Sequence, residues 1–385
     1  MNQSQKSIVV EGWRGINHSF AIVNQFQLLE MHKHTELNLR HEDIPFHYPH
    51  WSRATNGAGF HDADDRILGS IAPPLNALPR SWTYRIFSRV DLRPCPLGGR
   101  LAVFLVTELG LDEQSFVPGS DIKAFEAGGN IVVAPSRWAR DRIVDWGFQP
   151  STVHVVPHAA STDYFYRLPE QTIRSQRAAL GFSENEVLLL NIGAAIWNKG
   201  IDVLLKGFAL ARQKRKDLRL IFKDQRNTYG ISGDSYIQST LSGAGLLSDD
   251  VIGAITLIPS NLTMDQMNVM YGIADCYVSP YRAEGFNLPV LEAMVCGTPV
   301  IVTRGGATED FVDGELSRSI EAEQFHNAVI QTKKISGYCE PSLEHLVQLI
   351  LETAPKDLVK SARIPTSGVA LGWDSVVDSL LTLMK

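Results

Sequence analysis

Two glutamates, Glu284 and Glu292, bracket seven residues in SPYRAEGFNLPVLEAMVCGTPVIVTRGG, the stretch from Ser279 to Gly306. A carboxylate is a strong acceptor for paired hydroxyls, such as those of a ribose or a hexopyranose. Pro289 suits the first turn of a helix, where its missing N–H costs nothing, and Gly297 suits the exit. Glu284 then lies on a loop at the carboxyl end of a strand, CYVSP (276–280), and Glu292 about one turn into the helix. The amides of Gly285, Phe286, Asn287 and Leu288 point out of the helix N-terminus, which can hold an anion or sugar hydroxyls. Two carboxylates flanking such a terminus describe a pocket for a sugar, a phosphate and a ribose in a row. The plainer alternative is a solvated Glu284 and a surface Glu292 paired with a neighbouring Arg or Lys.

The elements that must hold these groups follow one rhythm: a short apolar run, a polar or Gly-bearing loop, then helical spacing. The runs are 7–12, 100–108, 130–136 and 153–158, with further strands near 35–41 and 82–87, and then 187–194, 218–224, 254–260, 276–280 and 298–303. Runs apolar on both faces and separated by helices imply parallel sheets covered on both sides. The pattern occurs twice, predicting an α/β protein of two Rossmann-like doubly wound domains, 1–170 and 171–365, facing across a cleft. The polar stretch 167–186 is read as the linker. After a Pro/Ser/Gly break at 365–368, residues 371–385 carry helical spacing and are expected to pack back on the first domain.

Composition narrows the class. With 385 residues, 44% hydrophobic and 20% charged, the chain reads as an ordinary globular protein, and its net charge of -6 gives no general attraction to nucleic acid. Cys95, Cys276, Cys296 and Cys339 lie far apart and form no CxxC pair, which points to a reducing, cytoplasmic setting. The N-terminus lacks a leader-like apolar core, no run reaches the ~18 residues of a spanning helix, and the sequons at Asn17 and Asn261 are read as chance matches.

Glu284-Gly285-Phe286-Asn287-Leu288-Pro289, Glu292-Ala293-Met294 and Gly297-Thr298-Pro299-Val300, preceded by Ala274-Asp275 and followed by Gly305-Gly306, resemble the signature of retaining glycosyltransferase family 4, of the GT-B fold. NIGAAIWNKGIDVLLKGFALA (191–211) resembles the same family's strand, Gly-bearing loop (Gly193) and helix, with Lys199-Gly200 before the helix. The resemblance implies that Lys199 meets the nucleotide diphosphate, and a lysine there is a compact cation that can neutralise a leaving group. Ala194 departs from the family, where an arginine often helps bind the phosphates. Lys223 and Arg226, at the end of the next strand, are the candidates to replace it. The base is expected near Ile258 to Leu262.

Gly12 and Gly15, in the loop after the first strand, let backbone approach a ligand closely. His18 and Ser19 beyond them are either helix caps or acceptor contacts. Where many members carry a histidine after the fourth strand, this chain has Thr107 and Glu108, so Glu108 is a candidate for a sugar or acceptor hydroxyl. His158 stands where the family commonly reads PNG or PHG. No metal site is expected, and DADD (62–65) is read as an exposed acidic loop.

The resemblance implies sugar transfer from a nucleotide sugar to an acceptor hydroxyl with retention and without a metal or other cofactor. Glu284 would position sugar hydroxyls, Glu292 the ribose, and Lys199 the diphosphate. UDP-glucose or a similar UDP-sugar is the first expectation, followed by GDP-mannose. A nucleotide-sugar epimerase and a nucleotide-sugar-binding protein that has lost catalysis are the competing readings. The acceptor is expected to be a glycan or lipid-linked glycan in polysaccharide or envelope synthesis. In RSWTYRIFSRVDLR (80–93) arginines interleave with aromatics, a composition that can dock on an anionic inner-membrane surface or form an element of the first domain.

Overall fold

The structure, a computed structural model, describes residues 6–75, 80–312, 314, 316–330, 333–355 and 372–385. The expected break at 365–368 lies outside the described residues. The chain divides into two compact units: one of Met1–Ser161, Asn327–Ser336 and Ala370–Lys385, the other of Thr162–His326 and Gly337–Val369. The boundary after Ser161 precedes the stretch read as the linker, half of which is helix in the second unit.

The first unit holds β1 (Lys6–Gly12), β2 (Leu37–Asp43), β3 (Trp82–Ile86), β4 (Arg100–Phe104), β5 (Ile131–Ala134) and β6 (Val153–Val155). They pair in parallel in the order β2-β1-β3-β4-β5-β6. Helices α1 (Ser19–Lys33), α2 (Asp62–Ser70), α3 (Ile122–Ala127) and α4 (Arg137–Trp146) connect them. DADD is not a loop: Asp62, Asp64 and Asp65 form the first turn of α2, where negative charge complements the helix dipole.

The basic-aromatic stretch contains β3, an element of the first unit's sheet. Every residue of β3 is buried, and Arg85 donates Nε to Glu11 Oε2 at 2.7 Å and Nη1 to the carbonyls of Asp91 (2.9 Å) and Arg93 (3.1 Å). Arg93 and Arg89 are bonded to Asp91 and to the Phe116 carbonyl. Among the described residues, no helix is long and apolar enough to cross a membrane.

The second unit begins with α5 (Glu170–Ala179) and continues β7 (Val187–Ile192), α6 (Ile201–Lys214), β8 (Leu218–Lys223), α7 (Arg226–Tyr229), α8 (Gly233–Gly243), α9 (Asp249–Gly253) and β9 (Ile255–Ile258). It proceeds through α10 (Met264–Ile273), β10 (Cys276–Ser279), α11 (Leu288–Val295), β11 (Val300–Thr303) and β12 (Ser317–Ile320). A hairpin, β13 (Ala322–Ile330) and β14 (Lys333–Pro341), precedes α12 (Leu343–Leu351); Asn327–Ser336 of the hairpin and the last helix, α13 (Trp373–Leu383), fall in the first unit. Trp373 of α13 stacks on Phe26 of α1 with ring centroids 5.2 Å apart.

The second sheet is parallel in the order β12-β11-β10-β7-β8-β9. β7 is buried at every residue, as a strand covered on both faces must be. Leu189, Leu220, Val278 and Ile301 of the strands pack with Leu204 and Phe208 of α6 and Leu346 of α12. Chain order runs outward from β7 through β8 and β9, then resumes on the other side with β10. The carboxyl ends of β7 and β10 therefore flank the point where strand order reverses, the place such sheets use for ligands.

Candidate functional site

Lys199 follows β7 and Glu284 follows β10, and the two meet at that reversal: Lys199 Nζ lies 2.7 Å from Glu284 Oε2. The approach depends on Gly200. Its φ is +65°, and a Cβ there would sit 1.8 Å from the Pro280 carbonyl oxygen, so no side chain can replace it without moving the loop. The Asn198 carbonyl accepts from the backbone amides of Arg282 (2.7 Å) and Ala283 (3.2 Å). Two loops far apart in sequence are thus joined beside the Lys199–Glu284 pair. Glu284 is only 6% exposed, a burial that a carboxylate tolerates when it has a cation and hydrogen bonds.

Asn287 caps α11 with φ +79°, ψ +65°, in the left-handed region. Asparagine is among the few non-glycine residues that adopt this conformation readily, and its Nδ2 donates to Ser279 Oγ at 3.0 Å. Pro289 lies in the first turn. Gly285 is buried, Leu288 is partly exposed, and Phe286 stacks on Phe311 at 4.9 Å. Phe286 therefore anchors the loop by packing, while the helix start carries the polar groups. Asn287→Ala should cost about 1–2 kcal/mol through the left-handed φ and the lost Ser279 bond. Asn287→Gly should recover the larger part, as read by denaturant midpoints.

Glu292 lies on the buried side of α11, where it accepts a hydrogen bond from Tyr271 Oη at 2.5 Å. Burial pushes its carboxyl pKa up to about 7, with the Tyr271 bond acting in the opposite sense. The Tyr271 phenol is itself raised well above its ordinary value by burial and by Glu292. Glu292 is thus not a solvated helix-surface group paired with a cation.

The candidates to replace the arginine missing at Ala194 are both engaged internally. Lys223 is 2% exposed and donates Nζ to the Asp224 carbonyl at 2.7 Å; burial depresses its pKa to about 8. Arg226 is paired with Asp224 (2.8 Å) and Asp234 (2.7 Å). Gly193 donates its amide to the Lys223 carbonyl at 3.1 Å, and Leu262 is half-buried ahead of the α10 cap Thr263. A cation that sequence reading missed stands closer to the pair in the chain. Arg282, two residues before Glu284, is buried and bonded to Asp202 and Glu340. Its partners lie 80 and 58 residues away in sequence, beyond any local signal.

In the first unit, Gly12 closes a tight contact rather than an open cradle: a Cβ there would lie 2.8 Å from Asn24 Nδ2 and 3.2 Å from the Ile86 carbonyl oxygen. Gly15 adopts φ +77°, with the Arg53 side chain over its α-carbon, and its amide donates to Gln25 Oε1 at 2.9 Å. His18 is the α1 cap, Nδ1 accepting from the Phe20 amide at 3.3 Å, and its ring packs 5.2 Å from both Trp13 and Trp51. Ser19, the next residue, is exposed.

Glu108 is partly exposed after β4, its carbonyl accepting from Trp138 Nε1 at 2.9 Å. His158 is a core residue, 4% exposed between Phe104 and Trp373. Burial lowers its pKa to about 3, so it stays neutral and is not an open acceptor contact. No group of three or more His, Cys, Asp or Glu side chains among the described residues could hold a metal ion.

Residues 172–340 match the family of glycosyl transferases group 1. The chain is 35% identical over 152 residues to a D-inositol 3-phosphate glycosyltransferase of Arthrobacter sp. (strain FB24), covering 38% of this chain and 34% of that protein. It is 26% identical over 187 residues to a lipopolysaccharide 1,2-N-acetylglucosaminetransferase of Salmonella typhimurium, covering 47% and 46%. The chain thus spans about a third to a half of the length of these curated relatives. In fold it is similar to Anabaena HepE in complex with UDP and glucose, with a TM-score of 0.61 and 14% identity over 98% of this chain and 96% of that one. A glycosyltransferase from Rickettsia africae superposes with a TM-score of 0.62 at 12% identity, covering 98% and 93%.

Proposed function

We propose that this chain, whose residues 172–340 match the glycosyl transferases group 1, moves a sugar from a nucleotide sugar to an acceptor hydroxyl. The observation that carries the reading is the Lys199–Glu284 pair at 2.7 Å, set where strand order reverses and beside the N-terminus of α11. An ammonium there offsets the negative charge that develops on a departing diphosphate, and the carboxylate accepts from sugar hydroxyls. Glu292, deeper along α11, is the acceptor for the ribose. Retention of configuration through an oxocarbenium-like transition state, with a leaving phosphate oxygen taking the acceptor's proton, requires no protein base. Metal independence is part of the same proposal, with Lys199 and the helix terminus holding the diphosphate.

A UDP-sugar, UDP-glucose first, is the donor we favour, because UDP is bound by the Anabaena fold relative. A glycan or lipid-linked glycan is the proposed acceptor class. Binding without turnover is the competing reading, favoured by Ala194 and by the internal pairing of Lys223 and Arg226. Calorimetric titration of UDP, GDP and ADP in EDTA, followed by UDP-glucose hydrolysis, separates the two. UDP binding with measurable donor cleavage is expected. Binding without cleavage or transfer would support the binder, and a folded protein that takes up no nucleotide would sink both readings.

A further inference from the structure

Arg282 joins three segments of the second unit. Its guanidinium donates Nη1 to Asp202 Oδ1 (2.7 Å) and Nη2 to Asp202 Oδ2 (3.0 Å), in the first turn of α6. It also donates Nε to Glu340 Oε2 (2.7 Å) and Nη2 to Glu340 Oε1 (2.8 Å), on β14. Two fork-to-fork pairs on one guanidinium fix its plane as well as its place. Nη1 further donates to the Trp197 carbonyl at 2.9 Å, and the guanidinium lies over the Trp197 ring, 4.9 Å from its centroid. Trp197 packs edge-on against Tyr338 of β14 (5.1 Å), which stacks on Phe325 of β13 (4.7 Å).

The residues held this way immediately precede the reactive pair. Trp197 and Asn198 lead into Lys199; Arg282 and Ala283 lead into Glu284. Arg282 touches neither Lys199 nor Glu284 in the contacts above, yet the segment that carries Lys199 is tied to it by one side-chain bond, one ring contact and its own backbone bond to the Asn198 carbonyl, with Ala283 donating a second. Glu340 is the only one of these groups supplied by the hairpin as a charge, and it neutralises a guanidinium already bonded to Asp202. Without Glu340 the fork has one carboxylate fewer to set its orientation.

We propose that Arg282 is a positioning residue for Lys199, and that the β13–β14 hairpin, through Glu340, belongs to the machinery that sets the diphosphate-binding lysine. The proposal rests on the donor-site reading above. Arg282→Ala would remove a buried ionic hub and threaten the fold, so the discriminating variant is Glu340→Gln, whose side chain is 38% exposed in the wild type. UDP affinity is measured by calorimetry for the wild type, Glu340→Gln, Lys199→Ala and the double variant.

If Glu340 acts through Lys199, Glu340→Gln weakens UDP about tenfold in the wild-type background and less than about twofold when Lys199 is already alanine. Arg282→Lys, which keeps the charge but loses the fork, should match Glu340→Gln. An equal Glu340→Gln effect in both backgrounds, or none in either, overturns the positioning role while leaving the donor site standing. A wild type that binds no nucleotide, or a Lys199→Ala variant that binds UDP as tightly as wild type, overturns the donor-site reading and this inference with it.

Discussion

Lys199→Ala is expected to lower sugar transfer about 10²–10³-fold in kcat, the usual effect of removing one group that meets developing charge in a closed site. In the proposed reaction that charge is the one developing on the departing diphosphate. The cation is pre-set, because Gly200 and the bonds to the Asn198 carbonyl hold the loop and the ammonium already sits 2.7 Å from Glu284. Pre-set groups need no reorganisation at the moment of bond cleavage, which is why their loss appears in turnover more than in binding.

The competing explanation of such a result would be misfolding, and the structure separates the two. The Lys199 side chain is 24% exposed but Glu284 is buried, so truncation leaves a carboxylate without its cation and the melting temperature should fall by several degrees, with the protein still folded at the assay temperature. Lys199→Arg should stay at least about tenfold below wild type, since a planar fork cannot occupy the place of a compact ammonium. Initial rates of UDP-glucose hydrolysis and transfer, with calorimetric melting, decide it. Turnover of Lys199→Ala within about threefold of wild type would remove Lys199 from the reaction.

What could be read from the sequence follows the range over which each interaction acts. Glu284, Asn287, Pro289 and Glu292 fall within one loop and one helix, so residue order fixes their spacing, and the strand-helix alternation is legible because both periods are local. Arg282, Asp202 and Glu340 are equally specific in space but distant in sequence, and single charged residues in a polar loop carry no local mark of burial. The same blindness left the stretch around β3 open between a docking surface and an element of the first domain: its arginine finds Glu11, 74 residues back, so a buried ion pair can be read as a basic patch. His158 failed for a related reason. Its position resembles a site residue, but its neighbours Phe104 and Trp373 come from β4 and α13. The β13–β14 hairpin carries no Asn-Gly or Asp-Gly turn to announce it.

Glu292 offers a test in which stability and binding move in opposite directions. Its folded-state pKa of about 7 lies above the ordinary value of 4.5, and burial is the cause. Between those two values the folded protein binds more protons than the unfolded chain, so this group's contribution to stability is largest below pH ~4.5 and is lost as pH rises through ~7. The full loss amounts to about 3 kcal/mol. Glu292→Gln keeps an acceptor for Tyr271 Oη and never ionises. Its melting temperature relative to wild type should therefore climb between pH 5 and pH 8, leaving it the more stable protein at pH 8. UDP should show the reverse dependence in the wild type. In the proposed site only the ionised Glu292 would accept from both ribose hydroxyls, so affinity should rise about tenfold from pH 6 to pH 8 and level off above the pKa. In Glu292→Gln the affinity should be low and flat across the same range. A wild-type UDP affinity indifferent to pH, together with a constant melting difference between the two proteins, would mean that Glu292 ionises normally or lies away from the ribose. The simultaneous gain in stability and loss of binding is the signature expected of a carboxylate kept buried, at a cost to the fold, for a ligand's hydroxyls.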